Sequence, residues 1–294
     1  MSETIKPRRW GDRYDGRRIR SADPINVVIP FIMPRRTGAS NMYYNSLSLN
    51  EAEKYIRQKR VEGLKGFGVL TFFLAVYTRV LSQRPGLNRF IAGHRLFARR
   101  HIDFCLAVKK EMSVDAQETT IKIRCQPTDT AADVHARLMA AIGEAKATGD
   151  SNTTDQYARL LAKIPRVFLK FTISLFKFLD YFGKLPKTLN WVSPFHASLF
   201  IADLGSLGLP PVHHHLYDFG NCSMFIIFGA KYKKTEPDAQ GNPVTRKMMD
   251  YTLTLDERVC DGFYFSGSFK FFNDIFQNPF QLDQPPARVI EDID

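Results

Sequence analysis

Residues 256–264 read DERVCDGFY. The residues before them, 249–255, are predicted to form a strand, and apolar side chains recur at helical spacing after them. The recurring side chains are Phe265, Phe269, Phe272 and Phe276. We therefore predict a strand over 249–255, a tight turn, and a helix over 262–276 that buries its phenylalanine stripe.

The rest of the chain alternates between predicted strands and predicted helices. A helix start at Ser48 predicts a short helix to about residue 60. Apolar spacing predicts a helix over 67–83, and a capping box of Thr130 and Asp133 starts another that ends near residue 147. Further strands are predicted over 25–33, 89–96, 102–110, 119–125, 194–204 and 223–232. No internal repeat and no linker rich in Gly or Ser divides the chain.

The composition describes an ordinary globular protein of 294 residues, with 44% apolar and 24% charged residues. A chain of this length buries enough surface to fold without a disulfide or a metal. Its four cysteines are far apart and form no CxxC pair. The composition therefore excludes a disulfide-stapled secreted scaffold and a zinc ribbon, and we expect no metal.

The net charge of +11 suggests an anionic partner, such as nucleic acid, a membrane surface or a phosphorylated cofactor. Part of this charge lies in the basic N-terminal residues 1–24, which we predict to form an arm on the body or on a neighbouring subunit. The C-terminal residues 291–294 are acidic. No apolar segment typical of a signal peptide follows Met1, so we expect a cytoplasmic protein.

Residues 163–184 are the most unusual segment. Five cations share one predicted helical stripe, and aromatic and aliphatic side chains cover most of the rest. The cations are Lys163, Arg166, Lys170, Lys177 and Lys184. These charges argue against a transmembrane span. Two interpretations remain open: a basic helix on a membrane surface, or a helix packed against a partner protein or subunit.

Two classes of partner have little support. Arginines interspersed with Trp10 and Tyr14 in the arm could grip nucleic acid, but nothing in the chain resembles a nucleic-acid-binding fold signature. No P-loop and no GxGxxG element is present. We therefore expect no nucleic-acid partner and no nucleotide chemistry.

Three consecutive histidines, His213, His214 and His215, form a candidate site. Consecutive strand residues point to alternate faces, so at most two imidazoles could converge on one ion. We therefore expect no metal here. An imidazole titrates near neutral pH, so a hydrogen-bonding role or an acid–base role fits these side chains better.

The turn at 256–264 resembles the His-x-x-x-Asp-Gly signature of the coenzyme-A-dependent acyltransferase superfamily, which includes chloramphenicol acetyltransferase and the dihydrolipoyl acyltransferase cores of 2-oxo acid dehydrogenase complexes. Other segments resemble that core in the expected order, over about residues 17–276. They are RRI at 17–19, RPGLN at 84–88, the strand pair at and after 102–110, and IADLGSLG at 201–208. The resemblance implies an α/β fold with a mostly antiparallel or mixed sheet flanked by helices.

The resemblance also exposes two departures. In the family, the motif histidine takes the proton from the thiol of coenzyme A or dihydrolipoamide. A serine stabilises the tetrahedral oxyanion, and the motif aspartate holds the geometry of the site. Here Glu257 stands at the histidine position and Ala202 at the serine position, whereas Asp261 and Gly262 match. An ordinary glutamate and a thiol differ by about 4 pKa units, so proton transfer is uphill by about 5–6 kcal/mol. A missing oxyanion donor costs roughly 3 kcal/mol more.

The resemblance further implies a homotrimer with each site between two subunits, and such trimers can build larger assemblies. We expect one domain over 25–294, with a helical insertion at about 150–190. The sequence contains no lipoyl domain, so we do not expect the chain to act as a swinging-arm component.

Two functions remain open. One is atypical acyl transfer from a coenzyme A thioester, with Glu257 as base or positioning group, Asp261 as orienting group, and one of His213–His215 supplying the missing imidazole. The alternative is a catalytically degenerate trimeric scaffold, which contacts a membrane surface or a partner protein through 163–184.

Overall fold

A computed structural model describes residues 7–109, 118–147 and 153–294. The strands in these residues are β1 Gly16–Arg18, β2 Ser40–Ser48, β3 Arg89–Ala92, β4 Arg95–Arg99, β5 Ile102–Lys109, β6 Glu118–Cys125, β7 Leu199–Asp203, β8 Met224–Pro237 and β9 Pro243–Asp256. They form a main sheet with the order β2-β9-β8-β7-β5-β6 and a small sheet with the order β1-β4-β3.

The main sheet is mixed. Strands β7 and β8 pair in parallel, as do β5 and β7, whereas β2–β9, β8–β9 and β5–β6 are antiparallel. The helices that surround the sheets are α1 Pro24–Ile32, α2 Asn50–Val61, α3 Val69–Gln83, α4 Ala131–Ala147, α5 Thr153–Ala162, α6 Arg166–Tyr181, α7 Lys187–Val192 and α8 Gly262–Gln277. This arrangement confirms the predicted α/β fold class.

One face of the main sheet packs against α3 and α8 through aromatic side chains. The ring of Phe73 on α3 lies 4.4 Å from Phe228 on β8 and 5.4 Å from Phe272 on α8, centroid to centroid. Phe72 contacts Phe276 at 5.0 Å. The phenylalanine stripe of α8 therefore faces the core, as its spacing predicts.

The predicted capping box is confirmed at the start of α4. The Thr130 backbone N–H and hydroxyl donate to an Asp133 carboxylate oxygen at 2.9 and 2.7 Å. The Asp133 backbone N–H donates to the Thr130 hydroxyl at 3.3 Å. These reciprocal hydrogen bonds satisfy backbone N–H groups that have no partner within the first helical turn.

The strand predicted over 25–33 is wrong, because this segment forms helix α1. An uninterrupted apolar run does not distinguish a buried strand from a helix. Pro24 occupies the first turn of α1, where its fixed φ and its missing N–H favour a helix start. Pro30 stands near the C-terminal end, and the last residue of the run, Met33, donates to the Ile29 carbonyl.

The single strand predicted over 89–96 is also wrong, because β3 and β4 form a hairpin. Gly93 and His94 connect them, and both have positive φ angles, 55° and 56°. Two left-handed residues make the tight turn that suits two antiparallel strands. His94 adopts this uncommon conformation with its ring stacked on Phe31 at 4.7 Å.

The charged termini contact each other on the body of the chain. Strand β1 pairs with β4, and Arg17 from β1 donates to the Asp294 carboxylate at 2.9 Å. Arg89 donates to Asp292 at 2.8 Å in a largely buried pair. The basic arm and the acidic C-terminus therefore neutralise part of each other's charge.

The helix predicted over 163–184 is shorter in the structure. It runs over Arg166–Tyr181 as α6, so Lys163 and Lys184 flank it rather than extend its stripe. Its last turn is fixed to the body by Asp180, which accepts from Arg13 at 2.7 Å and lies 3.3 Å from His196 Nε2. Because all three groups are buried, this contact defines where α6 ends.

A second buried ionic cluster ends β9. The Arg258 guanidinium donates to both carboxylate oxygens of Asp256, at 2.8 and 2.7 Å. Arg36 lies 3.4 Å from the same carboxylate, and all three side chains are at most 4% exposed. Arg258 also donates to the Met33 carbonyl at 2.7 Å, which joins the turn to the end of α1.

We predict that Asp256→Asn lowers the free energy of unfolding by about 3–5 kcal/mol, because two buried guanidinium groups lose their only carboxylate in the cluster. Urea unfolding of the full chain measures this change. The matched control is Asp274→Asn, on the exposed side of α8. A loss below about 1 kcal/mol, the typical value for a surface ion pair, would contradict the role assigned to the cluster.

The Asp180 contact predicts a pH-dependent stability. Burial alone would raise the pKa of Asp180, but the buried Arg13 guanidinium that donates to its carboxylate, together with the nearby His196 imidazole, holds it well below its ordinary value of 3.8. A carboxyl whose pKa is lower in the folded chain than in the unfolded chain stabilises the fold at pH values above its unfolded pKa. This stabilisation is lost as the pH falls toward the folded pKa.

We therefore expect Asp180→Asn to destabilise the chain by about 3 kcal/mol near neutral pH, and to differ less from the wild type below about pH 4. Urea unfolding at a series of pH values tests this. Asp274→Asn again serves as control. A wild-type–variant difference that stays constant from neutral to acidic pH would show that Asp180 does not act through its charge.

Candidate functional site

The buried cluster at the end of β9 places Glu257 at the molecular surface. The Glu257 backbone N–H donates to the Ala39 carbonyl at 2.9 Å, which fixes the turn against the residue before β2. The side chain is exposed, and its carboxylate accepts from the Asn41 amide at 2.8 Å. In one chain, therefore, Glu257 is positioned by an amide rather than enclosed.

Asp261 follows the turn and caps α8. Its carboxylate accepts from the Tyr264 backbone N–H at 2.7 Å, the bond expected of an N-cap aspartate. The side chains of Glu257 and Asp261 line the same cleft of about 320 Å³. The structure thus brings together the two acidic residues that the sequence assigned to the site.

The walls of this cleft are mainly apolar. They come from α1, β2, β9 and α8, and they include Ile29, Met33, Tyr43, Leu255 and Phe265. Cys260 also lines the cleft, and burial raises the pKa of its thiol to about 12, so the thiol stays neutral near neutral pH. The cleft therefore offers two carboxylates in apolar surroundings and no activated thiolate.

Sequence reasoning missed the contribution of β2. Asn41 and Tyr43 reach the cleft because β2 pairs antiparallel with β9, with Asn41 opposite Leu255 and Tyr43 opposite Leu253. The two strands are about 200 residues apart in the chain. Only the predicted strand at 249–255 signalled that some partner strand was required.

The three histidines lie on the other face of the main sheet. The Thr252 and Thr254 hydroxyls donate to the Val212 and His214 carbonyls, both at 2.6 Å, so this segment runs over β9. The His214 ring stacks on Phe225 at 4.1 Å. The structure therefore gives His214 a packing role and does not join it to Glu257, whose hydrogen bond goes to Asn41.

His213 and His215 are exposed on the same segment. The His215 ring stacks on His214 at 4.6 Å, and its carbonyl accepts from His214 Nδ1 at 2.7 Å. Among the described residues, no group of three His, Cys, Asp or Glu side chains is arranged to hold a metal ion. The histidine run is thus a stacked surface feature in the single chain.

Ala202 lies on β7 and packs against a small apolar cluster on the histidine side of the sheet. The following residues, Asp203, Gly205 and Ser206, line a separate cleft of about 400 Å³. Gly205 is required there because a Cβ atom would lie 2.4 Å from the Gly229 carbonyl oxygen.

The Glu257 cleft and the Ala202 segment lie at different ends of the sheet. In the strand register, Ala202 pairs with Ile227 and Ile227 pairs with Thr252. Glu257 lies five residues beyond Thr252, just after the end of β9. At about 3.3 Å per residue and about 4.8 Å between strands, the two positions are roughly 16 Å apart along the strands and 10 Å across them. In one chain, therefore, the two clefts do not meet.

Comparison with known proteins supports the fold. No protein-family model and no curated protein sequence matches the chain. Solved structures do match. A probable dihydrolipoamide acetyltransferase from Listeria monocytogenes superposes with a TM-score of 0.53 and 13% identity, over 88% of this chain and 94% of that chain.

Two further structures match to a similar extent. One is the cubic core of a pyruvate dehydrogenase multienzyme complex, and the other is the dihydrolipoamide acetyltransferase of Azotobacter vinelandii. Each has a TM-score of 0.52 and 16% identity, over 88% of both chains. At these identities the similarity concerns the fold. The chain thus has the fold of the dihydrolipoamide acyltransferase catalytic core, as its motif order predicts.

Proposed function

We propose that this chain is a self-assembling subunit, a homotrimer built on the acyltransferase-core fold, that does not perform the histidine-dependent acyl transfer typical of that fold. One observation carries the proposal: helix α1 exposes apolar side chains directly beside the Glu257 cleft. Ile25, Phe31 and Ile32 are 58–68% exposed, while Ile29 and Met33 of the same segment line the cleft. A second copy of the chain bound here would cover both the exposed side chains of α1 and the cleft.

The edge of the main sheet supports the same proposal. Strand β2 is the outermost strand next to β9, and it carries exposed Met42 and Tyr44. An edge strand has backbone groups available for pairing, and an apolar edge favours association. Covering α1 and β2 with a neighbour would enclose the turn around Glu257.

The separation of the two clefts within one chain also favours an assembly. Because the Glu257 cleft and the Asp203–Ser206 cleft lie at opposite ends of the sheet, a complete site requires two copies. In such a site Glu257 would supply a carboxylate and no imidazole base. The Ala202 methyl group offers no oxyanion donor, and it packs on the histidine side of the sheet rather than lining either cleft.

One observation favours a second candidate function, atypical acyl transfer from a coenzyme A thioester with Glu257 as base. The cleft at the motif turn is open and has apolar walls, rather than being filled by side chains. Closure by a neighbour would exclude water from the cleft around Glu257. An activity assay separates the two candidates.

We predict a trimer by light scattering at micromolar concentration, and dissociation on Ile32→Asp, because the variant places a charge in the buried contact. The control is Val61→Asp, an apolar-to-charged change at an exposed position of α2. A monomeric wild type, or equal behaviour of the two variants, would overturn the proposed assembly.

We expect no acetyl transfer from acetyl coenzyme A to dihydrolipoamide above the uncatalysed rate. Glu257→His alone should not restore the reaction, because position 202 still lacks the hydroxyl, a loss of about 10²–10³-fold. The double variant Glu257→His with Ala202→Ser is the comparison. Wild-type turnover would favour the second candidate, and full activity of the single variant would contradict the role given to position 202.

A further inference from the structure

Helix α6 divides into three sectors around its axis. At 100° per residue, Leu169, Ile173, Phe176 and Leu179 fall on the side of the buried Asp180. These four side chains are half-buried against the body. The helix is therefore held along one side and presents the remainder of its circumference outward.

A second sector, about 100° wide, is apolar and exposed. Its six side chains are between 42% and 80% exposed in the chain. They are Val167, Phe168, Phe171, Leu175, Phe178 and Phe182. An apolar patch of this size on a helix that is fixed at its end marks an interaction surface.

The third sector is basic and borders the apolar one. Arg166, Lys170 and Lys177 lie within about 40° of each other around the axis, and all are exposed. Residues 156–192 contain seven Lys and Arg residues and a single acidic residue. That acidic residue is Asp180, which is buried and paired with Arg13. The exposed charges within residues 156–192 are thus all positive.

We propose that α6 docks this chain on an anionic lipid surface, with the phenylalanine sector in the headgroup and acyl boundary and the lysines on acidic headgroups. Both contributions to interfacial binding are present, apolar burial and electrostatic attraction. A protein partner would fit less well, because lysine is depleted in protein interfaces and a second copy would bring like charges together.

The geometry limits the docking to the surface of a membrane. Helix α6 has 16 residues and three exposed cations, and no helix in the described part of the chain is long and apolar enough to cross a membrane. The Arg13–Asp180 contact holds the last turn of α6 on the body. The helix therefore offers its apolar sector from a rigid platform.

Vesicle co-sedimentation of the full chain tests the proposal. We expect the protein to sediment with vesicles of equal parts phosphatidylcholine and phosphatidylglycerol, to remain in solution with pure phosphatidylcholine, and to be released by salt. Binding to neither vesicle, or equal binding to both, would overturn it. The result does not depend on whether the chain transfers acyl groups or forms a trimer, so the two proposals fail separately.

Two double variants test which surface lysines determine binding to the anionic vesicles. Lys170→Glu with Lys177→Glu should weaken binding to the anionic vesicles at least about tenfold, since each lysine contributes about fivefold near such a surface. Lys65→Glu with Lys233→Glu makes the same charge change at exposed positions elsewhere. If both double variants weaken binding equally, net charge rather than α6 is responsible, and the proposal is wrong.

A fluorescence readout distinguishes lipid from a second copy as the occupant. In Phe171→Trp, a brominated lipid in the anionic vesicles should quench the new indole, while the control Phe263→Trp, exposed on α8, stays unquenched. Quenching confined to position 171 supports insertion of α6. An indole at 171 that is already shielded from acrylamide without lipid would show that another subunit covers the sector and would overturn the proposal.

Discussion

A single buried carboxylate, that of Asp256, holds two guanidinium groups at the end of β9, and the candidate site depends on this arrangement. Charges in an apolar interior are stable only when they are paired and hydrogen-bonded. Arg258 therefore turns back onto Asp256 and reaches the Met33 carbonyl, while Arg36 reaches the Tyr217 carbonyl. The cluster joins the end of α1, the histidine segment and the start of α8 around Glu257.

Local patterns predicted much of the fold. The phenylalanine spacing of α8 and the Thr130–Asp133 capping box depend on neighbours three or four residues away, so the sequence alone reveals them. Helix α1 was mistaken for a strand because its apolar run has no period. The contact of Asn41 with Glu257 joins residues 216 positions apart, and only the β2–β9 register creates it. No local pattern carries such information.

Similarity of fold does not determine the chemistry of the candidate site. Its scaffold superposes on dihydrolipoamide acetyltransferase structures, yet identities of 13–16% leave the site free to differ. Asp261 serves as the N-cap of α8, a role that any helix N-terminus can use. Helices α1 and α6 each expose an apolar surface in the single chain, and we propose a different partner for each, a second copy at α1 and an anionic lipid surface at α6.

In the proposed assembly, the Glu257 cleft of one copy faces the Asp203–Ser206 cleft of another. Cross-linking tests it directly, with Phe263→Cys beside the Glu257 cleft and Ser206→Cys in the second cleft; both positions are exposed, and all four native cysteines are buried. A short bismaleimide should link the two variants when they are co-expressed and neither variant when it is alone. Cross-links within either single variant, or none in the mixture, would contradict the claim.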